Sequence, residues 1–445
     1  MIEVLKHPAY GRLFAAQVIA LIGTGLLTVA LGLLAYDLAG DRAGAVLGTV
    51  FAIKMIAYVG LAPVANALAG RWPRKRVLIG ADLVRAVAAL MLPFIDATWQ
   101  IYVLVFVLQA ASATFTPAFQ AIIPDILKDE RDYTRALSLS RLAYDLENLL
   151  SPALAGLLLV FISYHWLFGG TVIGFIGSAW LVYATIIPAT GQAAKARPFL
   201  DRLTRGIRIY VATPRLRGLL ALNLTAAASG AFVLVNTVVV VRAGYGSGDR
   251  AVAAALAAFG GGSMLAALAL PRLLEQFADR KVMLSAGGLL AGLTLVHAGY
   301  QLMQGLPSWG VFLALWGLSG LFYAAILTPS GRLLRSSAHA EDRPALFAAQ
   351  FTLSHLCWLV TYPIAGWAGS AFGLPGAMAI LGVIGVAGVA LANSAWPADD
   401  RDVVEHEHPD LPNDHPHLRA HPVEQARHRH VFVIDDEHRA WPTHG

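Results

Sequence analysis

The chain has 445 residues, of which 57% are hydrophobic and 14% charged, with a mean hydropathy of +0.61. A soluble domain could not hide that much apolar surface, and the single cysteine, Cys357, excludes a disulfide framework or a cysteine-based metal or redox motif. The net charge of +5 is uneven: residues 397–445 hold eleven acids and five bases, so the body carries +11, an excess that in a membrane protein marks the cytoplasmic face rather than a nucleic-acid partner.

In chain order, the first apolar run is Leu13–Tyr36. It is too long for a signal-peptide core and no small-residue cleavage site follows, so it reads as an uncleaved span. Runs of about 20 residues suffice to cross a bilayer as helices. Twelve are expected: 13–36, 44–68, 77–95, 99–122, 137–162, 166–188, 218–241, 251–273, 282–303, 308–330, 345–372 and 376–396. With the N-terminus inside, the cytoplasmic segments of the body carry 23 Lys or Arg, whereas the opposite face has three, Arg42, Arg242 and Arg250. That bias puts both termini in the cytoplasm. Seven of the 23 lie in the central stretch Ala189–Arg217, within which Phe199–Val211 reads as an amphipathic helix on the inner membrane surface.

Charges within spans are costly and therefore functional candidates. Lys54 sits near the middle of the second span, about 15 Å from either face by helix rise. It either lines a cavity and meets an anionic group, or pairs with a carboxylate between helices. Asp82 and Arg85, three residues apart on the third span, can share a helix face and form a local pair. The fifth span opens with Arg141, Asp145 and Glu147. Arg141 and Asp145 can pair at i,i+4, while Glu147 points elsewhere. A carboxylate there without a fixed cation suits proton coupling, so Asp145, Glu147 and Asp82 are the coupling candidates and Lys54, Arg85 and Arg141 the cavity or ion-pair candidates. The membrane interior of the second half offers His297, His355, Asn223, Asn236 and Gln350; a histidine there reads first as a hydrogen-bonded structural residue. Gly44-x-x-x-Gly48, Gly170-x-x-x-Gly174, Gly288-x-x-x-Gly292 and Gly369-x-x-x-Gly373 read as helix-packing faces.

The two apolar blocks repeat each other. His7-Pro8 to Leu13 recurs as Thr213-Pro214 to Leu219, Ala69-Gly70-Arg71 as Ala278-Asp279-Arg280, and Thr116-Pro117 as Thr328-Pro329. Matches in order at nearly one offset indicate a six-span unit used twice in parallel.

Two such halves around a basic loop resemble the major facilitator superfamily over residues 1–396. The loop after the second span, Asn66-Ala67-Leu68-Ala69-Gly70-Arg71-Trp72-Pro73-Arg74-Lys75-Arg76, is similar to that superfamily's signature G-x-L-A-D-R-x-G-R-K-R. It matches at Leu68, Ala69, Arg71, Arg74, Lys75 and Arg76, and lacks the acid at Gly70. The second copy keeps one, as Asp279-Arg280-Lys281. The resemblance implies a gating role for Arg71, Arg74, Arg76, Asp279 and Arg280. Ser151-Pro152-Ala153-Leu154-Ala155-Gly156 resembles in part the Gly-Pro-x-x-Gly-Gly kink of the superfamily's antiporters; an ordinary Pro-Gly packing kink at Ser151, Pro152 and Gly156 is the alternative. Further likeness is to the exporter group of macrolide-efflux, enterobactin-export and nickel-resistance permeases.

The tail holds nine of the fourteen histidines, including the pairs His406/His408, His415/His417 and His428/His430, with His421 between. Imidazole with carboxylate suits Zn, Ni, Co or Cu. Pro409, Pro412, Pro416 and Pro422 argue for an open chain, hence modest affinity, and a soluble or pH-responsive acidic tail is the alternative.

The expectation is an all-α membrane protein of twelve transmembrane helices in two parallel-repeat six-helix bundles. They comprise residues 1–188 and 218–396, joined by the basic loop 189–217 and followed by a largely disordered tail, 397–445. It should be a multi-pass, monomeric protein of a bacterial inner membrane, with lipid, a small solute and protons as partners. It needs no cofactor beyond divalent metal that the tail could bind. No nucleophile–base pair or cofactor loop points to an enzyme. The expected function is proton-coupled efflux, with Ni or Co as favoured cargo. A drug, macrolide or siderophore exporter and a non-transporting metal sensor are the alternatives.

Overall fold

A computed structural model describes residues 2–61, 73–127, 129, 132–133, 135–136, 139–140, 143, 154–187, 199–339, 342–399, 403–407, 427–435, 438 and 440–442. Nearly all of it is helix. In the first half these are α1 (Pro8–Ala39), α2 (Ala43–Ile56, continued by a π turn to Leu61), α3 (Arg74–Met91), α4 (Thr98–Ile126) and α5 (His165–Tyr183). The second half has α6 (Phe199–Ala212), α7 (Pro214–Val239), α8 (Asp249–Gln276), α9 (Asp279–Gln304), α10 (Trp309–Leu327) and α11 (Ser330–Ser336). It ends with α12 (Arg343–Ala395), which breaks at Gly373, where φ is +73°. That break divides α12 into the two spans expected at 345–372 and 376–396: a left-handed glycine two residues before Pro375 turns the chain without strain. Of the fifth span, 137–162, residues 139–140 and 143 and the end from Leu154 are described.

Helix starts repeat as the residues suggested. Pro8 and Pro214 each occupy the first helical position, where proline's missing N–H costs nothing. Arg74 and Asp279 likewise open corresponding helices after Pro73 and Ala278 as N-caps, an offset of 205 rather than the 209 taken from the Ala-Gly-Arg match. The loop-signature residue opposite Arg280 is therefore Lys75. The two make equivalent bonds: Lys75 Nζ donates to Thr185 O (2.9 Å) at the end of α5, and Arg280 Nε to Trp396 O (2.8 Å) at the end of α12. A cation on the last-turn carbonyls satisfies orphan acceptors and complements the helix dipole.

The apolar core has an unequal shape. At the end away from the termini, called the far end, one core includes Leu31, Leu47 and Phe168 of the first half with Val235, Val238 and Phe259 of the second. At the end with the termini and the basic loops, called the basic end, there are two. One is built on Leu13, Leu78, Phe119 and Ile122, the other on Leu219, Leu290, Leu334 and Trp396. Among the described residues these two share no member, so the halves join at the far end and part toward the basic end.

Two sequence expectations change at the basic end. α6 is amphipathic, but Ile209 and Tyr210 are fully buried in protein, with Val211 exposed, and Gly206 lies so close to α12 that an added Cβ would overlap Ala345 O. Arg205 grips Asp342 through two bonds of 2.6 and 2.8 Å, and Tyr210 donates to Gln350 Oε1 at 2.5 Å. Burial pushes the Tyr210 phenol up, keeping it a neutral donor. Amphipathicity alone cannot tell a lipid surface from a protein one, and here the neighbour is α12.

The tail is also folded in part rather than an open chain. Strands β1 (Val403–Glu407) and β2 (Arg427–Val431) pair antiparallel, with Glu405 opposite Arg429 and Glu407 opposite Arg427 in register. Val404, Phe432 and Ile434 are buried in the second half's basic-end core. The signal was present in the β-branched Val403-Val404 and in the apolar run Val431–Ile434, outweighed in the reading by the prolines between.

Candidate functional site

Where the halves begin to part, the facing surfaces of α2 and α12 carry aromatic rings. On α12 they recur at Phe351, His355, Trp358 and Tyr362, a 4-3-4 spacing that keeps one helix face. On α2 and its π turn they are Phe51 and Tyr58, with Lys54 between. Phe51 lies 4.8 Å from Tyr362 between centroids, and Tyr58 lies 5.9 Å from Phe351 and 5.5 Å from His355, so rings meet across the two halves. Trp358 packs at a tilt on Tyr362 (4.9 Å) and reaches Tyr323 of α10 (6.3 Å), which touches Phe259 of α8 (5.5 Å). Lys54 Nζ stands 5.9 Å from the Tyr58 ring centre, half-buried. The aromatic spacing on α12 is a readable signal in the sequence, where only His355 and Lys54 stand out as candidates here.

Asp82 and Arg85 do form the local pair. Both are buried, their side chains in direct contact, and Ser178 of α5 donates to the second Asp82 oxygen at 2.8 Å. The guanidinium sits between the Phe115 and Phe175 rings at 4.3 and 4.5 Å. Charge, hydrogen bond and ring faces tie α3, α4 and α5 together inside the first half.

Among the other predicted residues, Arg141, Asp145, Glu147, Arg71, Ser151, Pro152, His408, His415, His417 and His421 lie outside the described residues. Gly156 packs against Ala253 of α8, a contact between halves, with an added Cβ at 3.2 Å. Asp279 accepts from Arg332 of α11, within the second half. Arg74 and Arg76 stand at the start of α3. His297 is buried, bonded to Gln301 at 2.8 Å and packed on Trp316, the structural role expected for it. Gly44, Gly48, Gly170 and Gly174 are packing faces, but Gly288 and Gly292 meet nothing within 4 Å and Gly373 is the break in α12. Small residues four apart permit close packing without requiring it.

In the tail, the ladder sets His406 opposite His428 and Val404 opposite His430. A second cluster docks the tail: Asp435 accepts from the His438 backbone (2.7 Å), lies 2.8 Å from His438 Nδ1 and 3.3 Å from His339 Nε2 after α11. Burial alone would raise the Asp435 carboxyl, but the bonds from His438 and His339 outweigh it and hold it well below the usual range. Among the described residues no group of three or more metal-ligating side chains converges on one point.

Comparison with known proteins agrees with this architecture. The family model of the Major Facilitator Superfamily matches residues 13–298 and 219–434. Macrolide efflux protein A of Streptococcus pyogenes is 23% identical over 326 residues, 71% of this chain and 79% of that protein. The uncharacterized MFS-type transporter YfiS of Bacillus subtilis is 25% identical over 349 residues, 76% and 81%. Among solved structures, a bacterial homolog of the human lysosomal transporter Spinster, inward-facing and unoccupied, superposes with a TM-score of 0.67 at 13% identity, over 87% of this chain and 96% of that one. A single-residue mutant of the nucleoside transporter NupG gives 0.66 at 14%, over 87% and 100%.

Proposed function

The chain belongs to the major facilitator superfamily; it is a multi-pass membrane transporter and not an enzyme, and we propose that it exports bulky, largely apolar organic solutes in exchange for protons. The observation that carries this reading is the aromatic wall where the halves part. Rings bury large apolar area and stack on flat or cyclic cargo, each contact contributing on the order of 1 kcal/mol. Below it the two basic-end cores stay separate among the described residues, and the bias of 23 Lys and Arg to three favours that end as the cytoplasmic one, where an exporter collects its cargo. Relatives named for macrolide efflux support an organic cargo. Asp145 and Glu147 remain the residues proposed to carry the proton.

The test is efflux from everted vesicles energised by a pH gradient, with a macrolide and an apolar dye as cargo. Wild type should accumulate at least one, and Trp358→Ala and Tyr58→Ala should raise its KM about threefold to tenfold. Gradient-independent behaviour, or unaltered KM in both variants, would refute the reading. The tail supports a second one, export of Ni or Co, because the ribbon registers His406 opposite His428. Unchanged Ni and Co tolerance after removal of the gene would end it.

A further inference from the structure

We propose that Lys54 gives the aromatic wall a preference for charge: the cargo is an amphiphile whose flat apolar body lies on the rings and whose anionic group, a sulfonate, carboxylate or phosphate, meets the Lys54 ammonium. The inference rests on the wall being the cargo site and adds the sign of the cargo's charge.

Phe51, Lys54 and Tyr58 follow one another at spacings of three and four, so the lysine shares the ring-bearing face of α2. The rings on either side of it are the ones that reach α12: Phe51 meets Tyr362, and Tyr58 meets Phe351 and His355. The ammonium is half-buried and 5.9 Å from the Tyr58 ring centre, within the range at which a ring face attracts a cation. Lys54 stands near the middle of its span, where its stem is too short to return the charge to water. Across from it, His355 holds Nδ1 2.6 Å from Phe351 O; a carbonyl only accepts, so that nitrogen carries a proton, and the neutral ring suffices for the bond. The α12 face, with Phe351, His355, Trp358 and Tyr362, adds rings and no acid. Asp82, the acid nearest the middle of α3, is engaged by Arg85 and Ser178.

A wall of rings alone would take any flat apolar solute. The lysine tells such solutes apart. An ammonium has three N–H donors, so a contact with the protein leaves others for a cargo oxygen. Between rings the effective dielectric is lower than in water, which strengthens a bond to an anionic oxygen and equally strengthens the repulsion of a cation brought to the same place. An anionic cargo therefore gains from both parts of the wall. A neutral one gains only from the rings, and a cationic one loses part of that gain to Lys54.

The test uses the full chain in lipid nanodiscs and three probes that share one ring system: pyrenesulfonate, pyrenemethanol and pyrenemethylammonium. Energy transfer from tryptophan to bound pyrene gives each Kd, with the signal of empty nanodiscs subtracted. Wild type should bind the sulfonate about 10- to 100-fold tighter than the alcohol, the scale of one charge-assisted bond, and the ammonium most weakly. Lys54→Met should bring the three Kd values close together, Lys54→Arg should keep their order, and Lys54→Glu should reverse it. Lys6→Gln, which removes an exposed cation at the basic end, should leave the order as it is. The order in the wild type needs no substitution, so it decides the matter even where a variant does not fold. Equal binding of the three, tightest binding of the ammonium, or an order that survives Lys54→Met would overturn the proposal. Failure of all three to bind would end the wall as a cargo site, and the proposal with it. Uptake by everted vesicles separates the two readings: a sulfonate bound in the expected order but not moved by a pH gradient supports the charge preference and refutes proton-coupled export.

Discussion

Asp82→Asn removes the partner of a buried cation while keeping the side chain's shape and its bond from Ser178. Two unit charges about 4 Å apart interact by ~4 kcal/mol at an effective dielectric of about 20. Arg85 is only 5% exposed and its Nε has no hydrogen-bond partner, so little water can replace the lost carboxylate. Stranding one member of a buried pair costs about 3–5 kcal/mol. For a half of this size that lowers the melting temperature by roughly 6–20 °C, at about 2–4 °C per kcal/mol. Differential scanning fluorimetry in detergent measures it. Replacing both partners, Asp82→Asn with Arg85→Met, removes the stranded charge and should return stability to within about 1.5 kcal/mol of wild type. The same pair of variants separates structure from coupling: the double variant should keep gradient-driven efflux if Asp82 only holds α3 to α5. A single variant as stable as wild type would refute the electrostatic reasoning. A stable double variant without gradient-driven efflux would return Asp82 to the coupling candidates.

Arg205→Ala breaks both bonds to Asp342 and leaves that buried carboxylate without them. At about 1.5–3 kcal/mol for charge-assisted bonds, hydrogen exchange in α6 should accelerate about 10- to 150-fold with the rest of the chain unchanged. Docking of the tail should depend on acid. The docked carboxyl of Asp435 titrates below the free one, so the undocked tail binds the proton first and stability rises with pH across that window. Docking is complete above the ordinary carboxylate pKa of about 3.9 and is lost as pH falls through the depressed value. Exchange protection in 427–435 should fall with it, and Asp435→Asn should remove that dependence.

The spans were legible because a bilayer demands about 20 apolar residues, and that demand leaves few ways to place the helices from α1 to α12. The pairing of Asp82 with Arg85 was legible for a similar reason, since three residues on a helix bring two side chains together whatever surrounds them. Of the aromatic wall only the spacing along α12 was legible, not its meeting with α2. Phe51 and Tyr362 are 311 residues apart, and only folding makes them neighbours. The seat of α6 was missed because an apolar stripe records that something covers it, not what. The ribbon in the tail was hidden by its own composition: histidines and prolines dominate the count, while two short apolar stretches do the docking.

The burial of Ile209 and Tyr210 against α12 also bears on how the duplicated gene was joined. The basic stretch at the centre is no neutral spacer shared between two copies. From Phe199 onward it belongs to the second copy and closes that copy's basic-end core, as Val4, before α1, contributes to the core of the first. The natural point of fission therefore precedes Phe199. A second unit that began at Pro214 would lose the helix that covers its own floor.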